Sequence, residues 1–172
     1  YLLKTDLTNA KLVNANLSGA NISGAILNDA QIRRANLTDA NLSRADLKDA
    51  NLAWSNLAKA NLTEANLYSA SLSEVNLADA VLIETNLLLA YLPKTNLKGA
   101  NLSKAYLGGA NLSDANLQGA NLTDANFSDA NLRGANLTDS DFTTVSNLKN
   151  IKLDGAIFCR TKMPWGELND GC

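Results

Sequence analysis

The chain has 172 residues, 46% of them hydrophobic and 19% charged, and its formal charge of -2 supplies no net field that would draw it to nucleic acid directly. Its longest apolar run, Leu87-Leu88-Leu89-Ala90-Tyr91-Leu92, falls far short of the roughly 18 residues of a membrane-span candidate, so no membrane span is expected. His is absent, which excludes Ser-His-Asp and Cys-His nucleophile systems and every His-based zinc site.

The chain opens at Tyr1 without an initiator Met and in the middle of a repeat, as a matured product or a fragment of a longer protein would. Read in fives, positions 2, 7, 12 and onward to 142 give 29 centres, of which 25 are Leu and the rest Ile22, Ile32, Phe127 and Phe142. Two residues before each centre, from 5 to 145, Ala fills 22 of 29 places, with Thr5, Ser55, Val75, Thr85, Thr95, Ser140 and Val145 as the exceptions. Asn or Asp usually separates Ala from Leu, and two mostly polar residues follow, as in Ser18-Gly19 and Thr38-Asp39.

A period of five fits no helix, because at about 100° per residue the Leu side chains would wander around the axis. It fits no long strand either, since an odd period sends alternate Leu residues to opposite faces. A path that bends every five residues satisfies both constraints. Ala-Asn-Leu is briefly extended, with Ala and Leu inward and Asn outward. The next two residues turn the corner, where Gly and Asn tolerate the positive φ that a type II turn needs at its third residue.

Ala10-Lys11-Leu12, Ala15-Asn16-Leu17-Ser18-Gly19 and their successors resemble the pentapeptide-repeat family over nearly the whole chain. The resemblance implies an all-β, right-handed quadrilateral solenoid with four quintets per coil and about eight coils. The unbroken column Asn16, Asn36, Asn56, Asn76, Asn96, Asn116, Asn136 agrees with a coil of 20 residues. The solenoid is expected over 1–145, and a frame-shifted last coil with a C-terminal cap over 146–172. The tail is also similar to the ends of cyanobacterial members.

Because the inward positions scarcely vary, information about partners must lie in the outward ones. Trp54 stacks between Arg34 and Glu74, where a cation–π contact with Arg34 is expected. Of the eight outward positions from 81 to 93, six are apolar: Val81, Ile83, Leu88, Leu89, Tyr91 and Pro93, leaving Glu84 and Asn86. Stacking sets Tyr68 against Leu88, and Tyr106 follows one coil later, so the feature is a belt over three faces. Exposed apolar clusters mark association surfaces. The competing reading is side chains that drifted on a tolerant scaffold and lie flat against their neighbours.

At Ser146-Asn147 the frame slips by one residue, and centres continue as Leu148, Leu153, Phe158, Met163 and Leu168. Cys159-Arg160-Thr161-Lys162-Met163-Pro164-Trp165-Gly166 then reads as a turn folded over the last coil, the cap that an open solenoid end requires against edge-to-edge polymerisation. Cys159 and Cys172 flank it, either bridged, which would suit periplasm or thylakoid lumen, or reduced and packed, which would suit cytoplasm. The cap argues against tail-to-tail pairing, and a monomer or weak homo-oligomer is expected.

No G-x-x-x-x-G-K-[ST], G-x-S-x-G or C-x-x-C motif occurs, and Gly108-Gly109 reads as a turn pair. Asp29 and Asp49 share a column with mostly neutral neighbours, a solvated face more than a metal site. Ser23, Ser43, Thr63, Ser103, Thr123 and Thr143 form a row of the kind that binds ice, broken by Ile83 and flanked by Arg44 and Glu64. No enzyme activity, cofactor or metal is expected. The function expected is a structural or protein-interaction module binding an unidentified protein through the belt. The resemblance supplies the alternative, a mimic of duplex DNA that modulates gyrase, but Asp39, Glu64, Asp79 and Asp124 are interrupted by Arg33, Arg34, Arg44, Lys59, Lys98 and Lys104.

Overall fold

The computed structural model describes residues 4–172; the repeat centre expected at Leu2 and the chain start at Tyr1 lie outside them. Parallel bridges recur at a spacing of 20, as in Asn16↔Asn36, Asn36↔Asn56, Asn56↔Asn76 and onward to Asn116↔Asn136. Four quintets therefore close each coil, and each quintet lies over its counterpart in the next.

The quintet Ala35-Asn36-Leu37-Thr38-Asp39 shows where the backbone hydrogen bonds go. Asn36 N–H donates back to Ala15 O at 2.9 Å, while Leu37 and Asp39 donate forward to Asn56 O and Ala58 O at 2.7 and 3.0 Å. Ala35 N–H closes the preceding turn onto Ile32 O at 3.3 Å. The remaining donor, Thr38 N–H, has no coil to reach and is taken by Asn36 Oδ1 at 3.1 Å. All five donors are satisfied, as a backbone withdrawn from water requires. The Asn is thus an Asx cap for the N–H two residues on. It also pairs with its own kind, Asn76 Nδ2 donating to Asn56 Oδ1 and Asn96 Nδ2 to Asn76 Oδ1, both at 3.0 Å. Where Tyr91 replaces Asn and can offer no such acceptor, the residue two positions on is Pro93, which has no N–H to cap.

The second turn residue has positive φ at every corner from Lys4 to Asp139, Thr144 beside the frame slip being an exception, but Gly, Asn and Asp do not monopolise it: Arg34, Trp54, Glu64, Leu89 and Lys104 all lie between 55° and 60°. An L-residue held there costs roughly 1–2 kcal/mol, which the inter-coil hydrogen bonds on either side override. Inside, every centre from Leu37 to Leu137 is at most 1% exposed, each contributing about 1.5–3 kcal/mol before entropy is subtracted. Where Ala is replaced by Thr, the hydroxyl is turned onto a core carbonyl: Thr85 and Thr95 Oγ1 donate to Leu62 O and Leu72 O at 2.8 and 2.7 Å. A buried hydroxyl without that bond would be a net loss.

Ser146 is the inserted residue. Its N–H and hydroxyl both donate to Ala125 O, at 2.8 and 3.0 Å, and from Asn126↔Asn147 onward the bridges run at 21. Phe127 and Phe142 lie in the coil that carries the extra residue, fully buried with ring centroids 5.6 Å apart. Leu148, Leu153 and Phe158 pack against the core and Met163 is buried, so the shifted centres hold that far. Leu168 also packs against the core, but from a different element. Strands β1 (Thr161–Met163) and β2 (Gly166–Leu168) pair antiparallel through a Met163-Pro164-Trp165-Gly166 turn, with Thr161 opposite Leu168. Leu168 is therefore a hairpin residue and no coil centre, because Pro164 cannot donate to a ladder and the chain reverses there.

Candidate functional site

The belt residues lie on three adjacent sides of one coil and its neighbours. Val81 bridges Asn61 and Asn101 on one side, and Tyr106 bridges Asn86 on the next, directly above Asn66 and the turn that carries Tyr68. Tyr91 bridges Ser71 and Asn111 on the third side, with Pro93 in its turn. Leu89, Tyr91 and Tyr106 are 55%, 50% and 50% exposed, while Tyr68, Val81, Ile83, Leu88 and Pro93 are half-buried. Gly108 and Gly109 are the reason the two leucines can lean along the rod. A Cβ on Gly108 would stand 2.9 Å from Leu88 Cδ2, and one on Gly109 would stand 2.7 Å from Leu89 Cδ2. Leu88 accordingly spends part of its surface on the next coil, whereas Leu89 still shows more than half of its own.

Lys48 Nζ lies 6.0 Å from the Tyr68 ring, so the lower edge of the belt meets a cation. Its upper corner carries the Lys104–Glu84 pair at 3.5 Å. Elsewhere the outward charges also pair between coils: Arg44 with Glu64 at 3.0 Å and Arg133 with Asp154 at 2.7 Å. The Arg44–Glu64 pair stands in the groove with Ser23, Ser43 and Thr63, so the hydroxyl row is bordered by strongly hydrated groups and is not a clean flat lattice. Asp49 takes Lys48 at 3.7 Å, and among the described residues no three His, Cys, Asp or Glu side chains converge as metal ligands would.

Trp54 is contacted by two guanidiniums where the sequence pointed to one. Arg34 lies 5.6 Å from the indole centroid and Arg33 lies nearer, at 5.1 Å. The column rule places Arg34 beneath Trp54; Arg33 belongs to the column of Ala53, and only its reach across the corner brings it in.

At the C-terminal end Cys159 and Cys172 form a disulfide across a separation of 13 residues. Gly171 N–H donates to Phe158 O at 2.6 Å, and Asn169 Oδ1 accepts from Arg160 N–H at 2.8 Å, which lays the tail along the terminal coil. Arg160 grips Asp139 one coil back, through Nε at 2.6 Å and Nη2 at 2.9 Å. That hydrogen-bonded guanidinium holds the Asp139 carboxyl below its ordinary 3.8. Asp6 and Asp141 are lowered by hydrogen bonds from Thr8 and Thr143, and Glu64 by the one from Arg44. A carboxylate whose folded pKa lies below its unfolded one stabilises the fold fully above the unfolded value and loses that contribution as pH falls through the folded one. Melting temperature is therefore expected to hold level from neutral pH down to about pH 5 and to decline below the ordinary values of 3.8 and 4.5. Onset of the decline above about pH 6 would show that other groups control acid stability.

The family of pentapeptide repeats matches this chain in eight copies, over residues 2–39, 35–73, 70–109 and 105–145. No curated protein matches it. HetL, involved in heterocyst differentiation regulation in the cyanobacterium Nostoc sp. strain PCC 7120, is 35% identical over 99% of this chain and 77% of its own, with a TM-score of 0.42. Rfr23 from the cyanobacterium Cyanothece 51142 is 33% identical over 72% of this chain and 64% of its own, at a TM-score of 0.26. QnrB1, a plasmid-mediated fluoroquinolone resistance protein, is 23% identical over 85% of this chain and 78% of its own, at a TM-score of 0.63, a likeness of fold. The eight-copy match and the 20-residue coil agree: the chain belongs to the pentapeptide-repeat family and is a right-handed quadrilateral β-solenoid of about eight coils.

Proposed function

We propose that this chain is a non-catalytic interaction module that docks a protein partner through the belt of Tyr68, Val81, Ile83, Leu88, Leu89, Tyr91, Pro93 and Tyr106. The observation that carries the reading is Leu89. It holds φ at 57°, a conformation unfavourable to a branched side chain, and yet it is 55% exposed, so neither backbone preference nor burial accounts for a leucine there. Other coils place small or polar residues at the same point of the column, in Asn9, Asp29, Asp49, Ser69, Gly109 and Asp129. Beside it stand two half-exposed tyrosines, a residue type favoured at interfaces because one ring supplies both apolar area and a hydrogen-bonding hydroxyl.

Leu89→Asn separates this reading from passive drift. Asn accepts the left-handed backbone, so relief of strain offsets the half-buried leucine and stability should change by no more than about 0.5 kcal/mol. Combined with Tyr91→Asp it is expected to abolish retention of the partner in affinity capture from the source organism, with the thermal transition unmoved. Sedimentation of the parent protein alone distinguishes a second copy of the chain from a foreign partner. Identical captures by parent and variant would sink the proposal.

A gyrase-directed role finds less support in the surface. Duplex mimicry calls for a continuous negative face, whereas Asp49, Glu64, Glu84, Asp139, Asp141 and Asp154 each lie within 4.0 Å of a Lys or Arg. The Cys159–Cys172 bridge supports an oxidising compartment, periplasm or thylakoid lumen, over a reducing cytoplasm. No helix of the described residues is long and apolar enough to cross a membrane.

A further inference from the structure

The sequence holds five arginines, and three of them, Arg44, Arg133 and Arg160, each bind a carboxylate one coil away through Nε. Arg33 and Arg34 do not. No carboxylate lies within 4.0 Å of either among the described residues, and both guanidiniums are held against one indole, that of Trp54. The columns explain why: Arg33 sits between Val13 and Ala53, and Arg34 between Asn14 and Trp54. On this side of the rod the outward residues of three successive coils are Lys11, Val13, Asn14, then Gln31, Arg33, Arg34, then Asn51, Ala53, Trp54. They include three cations and no acid. The same side farther along carries Glu74, Asp114 and Asp154, so the segregation belongs to this patch.

Two further observations concern the same residues. Arg33 Nε is shut off from solvent and has no hydrogen-bond acceptor among the described residues, so this guanidinium meets a ligand through its terminal Nη groups. Trp54 carries a positive φ of 60° and is 46% exposed, so a bulky ring occupies a strained corner without being buried there. What the ring does accomplish is to fix two flexible guanidiniums side by side.

We propose that Arg33, Arg34 and Trp54, with Lys11 one coil below, form a binding site for a phosphate group. Guanidinium forks match tetrahedral oxyanions, and each is held by its ring contact before the ligand arrives, which removes part of the ordering cost. A dianion suits the three uncompensated cations better than a carboxylate, because single carboxylates in this protein are satisfied by single arginines. The site shares its side of the rod with Tyr91 and Pro93, two coils beyond Trp54, but it includes no belt residue, and its test does not depend on the belt.

The test follows Trp54 fluorescence in a Trp165→Phe background, which leaves the indole of interest as the sole reporter. Inorganic phosphate and a phosphoserine tripeptide are titrated separately at constant ionic strength, with chloride as the balancing anion. Saturable change with phosphate is expected in both arms, and the tighter arm identifies free phosphate or a phosphorylated protein as the source. Arg34→Gln should weaken binding about tenfold, the loss of one charge-assisted hydrogen bond, and Arg34→Lys should recover only part of it. Arg33→Gln together with Arg34→Gln should remove saturation while the thermal transition of the folded protein is unchanged. Equal response to chloride and phosphate, or undiminished binding by the doubly substituted protein, would overturn the assignment.

Discussion

Phe127→Ala is expected to destabilise the protein by about 3–5 kcal/mol, among the largest losses available to one substitution here. Phe127 is fully buried and its ring meets Phe142 at 5.6 Å, in the coil that Ser146 enlarges by one residue. Leucines at 107 and 87 occupy the same column in regular coils, so the site is a place where Leu is too small rather than one that accepts any apolar residue. Phe127→Leu should accordingly cost less than the Ala change but remain measurable, while Leu107→Phe in a regular coil should overpack and cost about 1–3 kcal/mol. Chemical denaturation of the three variants decides the matter. If Phe127→Leu were neutral and Leu107→Phe tolerated, the aromatic pair would have no connection to the frame slip.

Reduction of the Cys159–Cys172 bridge, or Cys172→Ser, is the second large effect. The bridge closes a separation of 13 residues, and on the loop-closure account such a link contributes about 3 kcal/mol. The loss should fall on the cap, because solenoid stability is transmitted between neighbouring coils and weakens first at an end. Amide exchange should therefore accelerate at Thr161–Met163 and Gly166–Leu168 while the amides of the central coils keep their protection. Arg160, which holds Asp139 independently of the bridge, should retain part of the cap's order. Uniform acceleration throughout the chain would mean that the rod unfolds as one unit and that the bridge stabilises all of it equally.

The apolar belt was legible as six apolar residues in eight outward positions, because outward positions are otherwise mostly polar and a deviation stands out against so regular a background. The cluster of Arg33, Arg34 and Trp54 was only half legible. Arg34 and Trp54 share a column and could be paired by counting; Arg33 joins them across a corner, and only side-chain reach in three dimensions reveals it. The Asn ladder illustrates the opposite case. Its period was plain, but its purpose emerged from the coil itself, in which the first turn residue is the one N–H that no neighbouring coil can accept.

By itself, the sequence determined the repeat length, the inward set, the corners and the point where the frame slips, because a period of five leaves the chain no helix and no continuous strand to adopt. Those features follow from local geometry and from which side chains avoid water. Tertiary structure decided what depends on stacking: that Trp, Leu and Glu can be held in a left-handed corner by hydrogen bonds to adjacent coils, and that the fork of Arg33 reaches the ring of Trp54. It also decided that Leu168 turns back as a hairpin where the next coil would have begun. In each instance a contact between residues far apart in the sequence, or a chain reversal set by one proline, outweighed the periodic pattern.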